Sequence, residues 1–353
     1  HWMFISSNGS LSAGRKNSEN ALFPYYSEDK IHDYRGKTGS RTLILVKKED
    51  GMKLWEPFEG DSAGAYSLKR NIYKNLSGNK LVFEEINENL ELTFRYGWYN
   101  SDRFGFIKRS VLSKQGTGPV QVELLDGLQN ILPCSVDSGL QLSSSNLLDA
   151  YKRQELLSGT TLGIFRLSSV PSDAAVPSEA LKVNTVWSEG LNDSTILLSS
   201  LQLDAFRKGY PIEQEYDVKA TRGSYFAYAT LELTPEAECQ WNIVAEVNQD
   251  AAGVAGLLDL LKSGLPAGEL VQTDIEKSNA DLSSLLASSD ALQCTEDELS
   301  TTRHLSNVLF NVMRGGVFPE HYQLPAKDFL AFVSNTNGSL LQEAETLLDG
   351  CGE

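Results

Sequence analysis

The chain lacks the residue patterns that mark the common metal and catalytic sites. Its 4 cysteines form no CxxC pair, and its 4 histidines show no HxH or HExxH spacing, so neither a zinc site nor a redox dithiol is predicted. It also has no glycine-rich phosphate loop and no GxSxG nucleophile motif. We therefore predict no metal, no organic cofactor and no nucleotide site, and we name no catalytic residue.

Positive charge is also scarce. The 31 Lys and Arg residues are outnumbered by 47 Asp and Glu residues, which gives a net charge of −16. A field of this sign repels phosphate backbones and anionic lipids, so we expect neither a nucleic-acid nor a membrane partner. No uninterrupted apolar run reaches about 18 residues. Scattered cysteines and the lack of a signal sequence lead us to expect a cytoplasmic location.

The first two thirds of the chain alternate between apolar and polar residues. Residues 90–98 are the clearest example, because every second residue from Leu90 to Trp98 is apolar and would lie on one face of a strand. Turn residues separate several such segments, which predicts a mainly β fold of antiparallel sheets stacked as a sandwich. Residues 224–233 and 239–247 are predicted to form a hairpin.

Helical spacing replaces this alternation after Asn248. Helical spacing occurs once before this point, at residues 144–157, and returns at residues 250–263, 269–289 and 295–314. Since 353 residues suffice for about two domains, we predict a β domain at 1–248 and a helical segment at 249–353. Residue 1 is not Met, and the last residues read as a helix that has only just ended, so we expect the chain to be part of a longer protein.

The opening segment, residues 2–33, combines turn residues with many side chains that bind hydrogen-bonding ligands. Sugar sites use this mixture, with aromatic rings against the apolar face of the sugar and amides, carboxylates or guanidinium groups on its hydroxyls. A solvated arm that packs on its own domain is the alternative interpretation. The candidate carbohydrate-binding residues are Arg15, Asn17, Glu19, Asn20 and Tyr25.

Three other features of the sequence bear on function. Trp55 lies outside a clean strand pattern and is the best tryptophan candidate for a sugar platform. Asp126 precedes a glycine, so we interpret it as a turn residue at the end of a strand rather than a catalytic carboxylate. Arg103, Lys108 and Arg109 are close in sequence; they fit a solvated strand edge better than a site for an anionic ligand.

Several stretches occur in an order that resembles a known family. They are SSNGSLSAGR at 6–15, NALFPYY at 20–26, FGFIKR at 104–109, LDGLQNILP at 125–133, DAYK at 149–152 and GIFRLSS at 163–169. Together they resemble the N-terminal region of the cellobiose/chitobiose phosphorylase superfamily, including its cyclic-glucan-processing relatives. The resemblance covers roughly residues 1–250 and continues more weakly through the helices.

The resemblance implies a large two-sheet, galactose-mutarotase-like supersandwich, then a helical linker and an (α/α)6 barrel. In this family the catalytic acid and the phosphate site belong to the barrel, and about a hundred residues after Asn248 cannot supply twelve helices of typical length. The chain would then be the non-catalytic part of a glycoside phosphorylase, hydrolase or glycosyltransferase. Inorganic phosphate would be a co-substrate only of the full-length enzyme.

The implied partners are carbohydrate, such as a β-linked oligosaccharide, and a second copy of the chain. In family dimers this domain helps to shape the active-site entrance of the other subunit, and the matching region here is the opening segment. Two alternatives stay open, because a fold does not fix a function. The chain could be a free-standing carbohydrate-binding module, or a purely structural assembly domain.

Overall fold

The computed structural model describes residues 1–25, 28–60, 64–171, 179–235, 237–289, 296–315 and 324–349. In these residues the chain is mainly β, with three antiparallel sheets, and its last part is helical. The prediction of antiparallel β structure followed by helices is confirmed. Within the same residues, no helix combines the length and the apolar character needed to cross a membrane.

The sheets differ in size. A small sheet contains β1 (Trp2–Ile5), β2 (Leu11–Gly14) and β3 (Ala21–Phe23). The five-stranded sheet runs β14 (Thr195–Leu197), β16 (Gly223–Leu233), β10 (Val120–Ile131), β4 (Gly39–Lys48), β5 (Gly51–Trp55). The nine-stranded sheet runs β15 (Asp217–Lys219), β11 (Lys152–Leu156), β12 (Gly163–Leu167), β13 (Val183–Glu189), β17 (Glu238–Gln249), β9 (Gly105–Lys114), β8 (Leu92–Ser101), β7 (Leu81–Asn87), β6 (Leu68–Lys74).

The described helices are α1 (Glu28–Ile31), α2 (Ser138–Tyr151), α3 (Leu203–Arg207), α4 (Ala251–Lys262), α5 (Ala267–Ser288), α6 (Glu298–Met313), α7 (Ala326–Asn337) and α8 (Leu341–Asp349). Short 3-10 turns occur at His32–Tyr34 and Gly338–Leu340. Three of the longer helices, α2, α4 and α6, begin with an aspartate cap; in α6, Asp297 Oδ1 accepts from Leu299 N at 3.0 Å. Asp137 Oδ1 accepts from Leu140 N, and Asp250 Oδ1 accepts from Gly253 N, so each satisfies a backbone donor that the helix leaves free.

The two larger sheets pack face to face around the main core. Strand β8 supplies Phe94 and Trp98 to this core, while β10 supplies Leu124 and Leu128 from the opposite sheet. These side chains are almost fully buried, as the alternation along residues 90–98 predicts. The sequence pattern therefore predicts the face of β8 correctly.

The outer faces of the two sheets are covered differently. On the five-stranded sheet, Leu203 and Phe206 of α3 pack over Leu125. On the nine-stranded sheet, α4 and the first half of α5 cover an apolar strip that includes Trp187 and Val244. The helices that follow β17 thus begin by burying the outer surface of the sheet.

The chain divides into two compact units. The first contains His1–Lys74 and Asn79–Ile275, and the second contains Asn75–Gly78 and Glu276–Glu353. In the second unit, Leu286 and Leu305 form a small buried cluster.

Two local predictions were wrong. Residues 144–157 were predicted to be helical throughout, but α2 ends at Tyr151 and β11 follows, because alternate residues from Lys152 to Leu156 are buried against the sheet. The predicted hairpin of residues 224–233 and 239–247 does not form. Strand β16 pairs with β10, whereas β17 pairs with β9 in the other sheet, so the loop between them crosses the sandwich.

Asp126 lies in the middle of β10, not at a turn, and this corrects the sequence interpretation. Its side chain is 0% exposed. It accepts hydrogen bonds from Lys108 Nζ at 2.5 Å, Thr42 Oγ1 at 2.6 Å, Trp241 Nε1 at 2.7 Å and Ser110 Oγ at 3.0 Å. Because Lys108 belongs to β9 and Asp126 to β10, the ion pair joins the two sheets across the core.

The three cationic residues near position 105 do not share one surface. Lys108 is 0% exposed, so it cannot meet a soluble anion. Arg109 donates from Nε to Asn242 Oδ1 at 3.0 Å, and the Arg103 guanidinium lies 4.8 Å from the ring centre of Phe104. Neither a solvated edge nor an anion site describes Lys108; it is a core residue.

Candidate functional site

The opening segment folds into the small sheet, and a tight loop of residues 15–20 joins β2 to β3. Trp2 pairs with Gly14 across β1 and β2, and the glycine is required because a β-carbon at position 14 would lie 2.4 Å from Trp2 Cζ2. The indole therefore lies across the strand end. Its Nε1 donates to the Asn17 carbonyl at 3.0 Å, which fixes the loop to the ring.

Asn17 and Asn20 are brought together inside this loop. Asn17 Oδ1 accepts from Glu19 N at 3.2 Å, Asn20 N at 3.2 Å and Asn20 Nδ2 at 2.9 Å. An asparagine that binds the following backbone amides in this way stabilises a turn. The backbone bond from Arg15 N to Asn20 O, 2.9 Å long, closes the loop at its base.

Three aromatic rings form an exposed cluster beside the loop, which we call the aromatic face: Trp2, Phe4 and Tyr25. The ring centres of Trp2 and Phe4 are 6.0 Å apart, those of Trp2 and Tyr25 are 5.8 Å apart, and those of Phe4 and Tyr25 are 6.5 Å apart. Phe4 is 44% exposed and Tyr25 is 47% exposed. Large aromatic rings are costly to leave in water, so a cluster of them suggests a contact surface.

Arg15 ties the loop to the sandwich. It donates from Nη1 to Glu246 Oε2, and from Nη2 to the Asp102 carbonyl at 2.6 Å and to Asp102 Oδ1 at 2.9 Å. Burial raises the pKa of the Glu246 carboxyl above its usual value of 4.5, and the nearby guanidinium opposes this effect. Arg15 thus fixes the position of the loop.

The predicted residues are therefore only partly assembled. Arg15, Asn17 and Asn20 lie in the same loop, and Tyr25 joins it through Trp2. Glu19 is exposed on the loop, where its Oε1 accepts from Ser18 Oγ at 3.3 Å.

Trp55 is separate from this group and is 0% exposed. Its Nε1 donates to Glu85 Oε1 at 2.7 Å. Because no face of its ring reaches solvent, the interpretation of Trp55 as an open sugar platform is corrected.

The sequence pattern did not single out Trp2 or Phe4 as candidate site residues. The available pattern was the spacing of Trp2 and Phe4 by two in β1, which places both rings on one side of the strand. The pattern alone does not tell whether that side is covered. The structure shows that Trp2 packs partly on a cluster containing Ala21 and Leu132, while Phe4 and Tyr25 stay open.

Chemically, this surface is suited to binding rather than to acid–base catalysis. It offers aromatic rings, amides and an exposed carboxylate, and its one arginine is already engaged by Glu246 and Asp102. Across the part of the chain that the structure describes, no group of three or more His, Cys, Asp or Glu side chains is placed to hold a metal ion.

The sequence matches no protein-family model and no curated protein. Among solved structures, the chain is similar to a bacterial glucoamylase complexed with acarbose, with 10% identity and a TM-score of 0.47, covering 84% of this chain and 37% of that chain. It is also similar to a human-microbiome protein provisionally assigned as a kojibiose phosphorylase, with 11% identity and a TM-score of 0.39, covering 69% of this chain and 27% of that one.

A further similarity is to a GalM/aldose epimerase homologue from C. elegans, with 11% identity and a TM-score of 0.35, covering 69% of this chain and 94% of that one. The chain thus spans only 37% and 27% of the lengths of the glucoamylase and the human-microbiome protein. Similarity at this level assigns no activity or site residue to this chain.

Proposed function

We propose that this chain is a non-catalytic, carbohydrate-binding part of a carbohydrate-active enzyme, and that the aromatic face contacts the sugar. The observation that carries the proposal is the cluster of three rings, two of them about half exposed, at a loop held rigid by Asn17 and Arg15. A rigid platform loses little conformational entropy when a ligand binds. The ordered sequence motifs described above provide the carbohydrate context.

The hydrogen-bonding groups of the loop would orient the ligand. Glu19 is exposed on the same loop as Asn17, whose carbonyl accepts the hydrogen bond from Trp2 Nε1, and a carboxylate can accept hydrogen bonds from two adjacent hydroxyl groups. Asn17 and Asn20 mainly hold the loop in shape, and Arg15 anchors it. We therefore expect stacking to come from Phe4 and Tyr25 and orientation to come from Glu19.

Titration calorimetry with a panel of β- and α-linked oligosaccharides tests this assignment. We expect at least one β-linked oligosaccharide to bind, and Tyr25→Ala and Phe4→Ala each to weaken it about tenfold, the loss expected for about 1.4 kcal/mol of apolar contact. Tyr210→Ala is the matched control, because Tyr210 is 62% exposed but lies outside the aromatic face. Binding that Tyr25→Ala and Phe4→Ala leave unchanged would refute the site, and no binding across the panel would refute the function.

The resemblance also motivates a second proposal, that two copies associate and that the opening segment borders the active-site entrance of the other copy. The phosphorylase activity, with inorganic phosphate as co-substrate, would belong to a longer chain. Light scattering on the protein would test the association. A mass of one chain at every concentration would contradict it.

A further inference from the structure

A second candidate site is separate from the aromatic face, since none of its lining residues belongs to the small sheet. It is a cleft of about 800 Å³ in the first unit, lined by β13, the loops around β11, and the start of α5. This volume falls in the range of about 300–1,000 Å³ that is common for small-molecule sites. The side chains that matter below are Glu189, Asp193, Gln214, Tyr216 and Glu269.

One carboxylate of the cleft is held firmly. Asn242, itself 2% exposed, donates from Nδ2 to Glu189 Oε1, and it accepts from Arg109 Nε at 3.0 Å. Gly268, at the start of α5, leaves room for this carboxylate, because a β-carbon at this position would lie 2.7 Å from Glu189 Oε2. Glu189 therefore has a fixed position in the wall of the cleft.

All the charged side chains that line the cleft are acidic. Glu189, Asp193 and Glu269 contribute carboxylates, and no Lys, Arg or His is among the lining residues. These carboxylates are not gathered for a metal, since no metal-holding group occurs among the described residues. A wall of spread carboxylates attracts an organic cation and repels phosphates and uronic acids.

The remaining lining provides contacts for a hydroxylated ring. Tyr216, which is 60% exposed, adds an aromatic ring to the lining. Gln214 is held by a hydrogen bond from Ile196 N to its Oε1 at 2.9 Å, and Ser194 adds a hydroxyl group to the lining. Aromatic, amide, hydroxyl and carboxylate groups together are suited to a polyhydroxylated molecule.

We infer that this cleft binds an amine-bearing saccharide, with its ammonium group near Glu189 and Glu269 and its ring against Tyr216. The inference concerns a second site and does not depend on the aromatic face. It predicts selectivity by charge: an amino sugar should bind more tightly than its neutral N-acetyl form, and a uronic acid should bind least.

The test uses three probes on the protein at about pH 6, where a sugar amine is protonated: methyl glucosaminide, methyl N-acetylglucosaminide and methyl glucuronide. We expect the free amine to bind about tenfold more tightly than the N-acetyl form, the gain of a few partly exposed ion pairs. Glu269→Gln and Glu189→Gln should each reduce this ratio, and Tyr216→Ala should weaken both sugars. Glu269 is exposed, so its variant is expected to fold normally.

Tyr210→Ala serves again as the control and should bind all three probes like the unmodified protein. Equal binding of the amine and the N-acetyl form would overturn the inference, as would a ratio that neither glutamate variant changes. Loss of amine binding in Tyr25→Ala, with full binding in Tyr216→Ala, would place the sugar on the aromatic face instead. If Tyr25→Ala loses β-linked oligosaccharide binding and Tyr216→Ala does not, the result does not bear on the cleft. Each of the two proposals can therefore be refuted without the other.

Discussion

The buried ion pair between the sheets offers the sharpest test of the fold. Lys108 and Asp126 are both 0% exposed, and Lys108 Nζ donates to Asp126 Oδ1 at 2.5 Å. Replacing Lys108 with Met keeps most of the side-chain length but removes the charge. The Asp126 carboxylate would then stay in the core with only neutral donors around it.

The expected cost is large. Removing one partner of a buried ion pair typically destabilises a protein by about 3–5 kcal/mol, because the remaining charge is left without compensation. The bonds from Thr42 Oγ1 at 2.6 Å and Trp241 Nε1 at 2.7 Å recover part of this, so we expect about 3 kcal/mol for Lys108→Met. That is a substantial share of the stability of about 5–15 kcal/mol typical of a folded protein.

Urea denaturation of four proteins measures the effect: the unmodified chain, Lys108→Met, Asp126→Asn and the double variant. Because the double variant leaves no unpaired charge, it should lose less than the sum of the two single losses, with a coupling energy of about 2 kcal/mol. Additive losses, or a loss below about 1 kcal/mol for Lys108→Met, would refute the view that the pair is charged and desolvated.

Three further predictions concern other buried positions, and denaturant titration checks each. Gly127→Ala should destabilise the fold by about 1–3 kcal/mol, because its β-carbon would lie 2.1 Å from the Tyr225 carbonyl oxygen. Gly256→Ala is the control, because nothing lies within 4 Å of its β-carbon; it should stabilise the fold by up to about 1 kcal/mol. Equal effects of the two would contradict the crowding. Tyr225→Phe should cost about 1–3 kcal/mol, because its hydroxyl donates to the Thr161 carbonyl at 2.7 Å; an unchanged midpoint would show that the bond contributes nothing. Burial raises the pKa of Glu246 above 4.5, so the folded state holds this proton more tightly than the unfolded chain, and the group's contribution to the free energy of unfolding falls as the pH rises from about 4.5 through the raised pKa. Glu246→Gln should lack this fall, whereas parallel pH curves for the two proteins would contradict the shift.

Local alternation in the sequence was enough to predict the sandwich. Leu92, Phe94, Tyr96 and Trp98 are all buried on one side of β8, because a strand whose sheet packs against a second sheet needs one apolar face. Such a pattern lies within a single segment, so it can be read without knowing the partner strands.

Features that depend on distant partners could not be predicted in the same way. Asp126-Gly127 has the local chemistry of a turn. The buried carboxylate is tolerable in mid-strand because Lys108 and three neutral donors reach it from distant parts of the sequence. Likewise β16 and β17 are neighbours in sequence but pair with β10 and β9. Long-range pairing here overrides the short connection.

In the candidate site, too, local features could be predicted from the sequence, whereas features of the assembled fold could not. Asn17 and Tyr25 could be proposed from the composition of a loop, since turn chemistry and exposed aromatics are local features. Exposure itself is a property of the assembled fold: Trp55 is 0% exposed, whereas Phe4 is 44% exposed. Both residues are aromatic and near strand ends, and the sequence does not distinguish them.

A crystal structure of the protein with a bound β-linked oligosaccharide would test the central claim most directly. We expect a sugar ring stacked on Tyr25 or Phe4, with hydroxyl groups in hydrogen-bonding distance of Glu19. A ligand bound away from the aromatic face, with Trp2, Phe4 and Tyr25 left open to solvent, would contradict it.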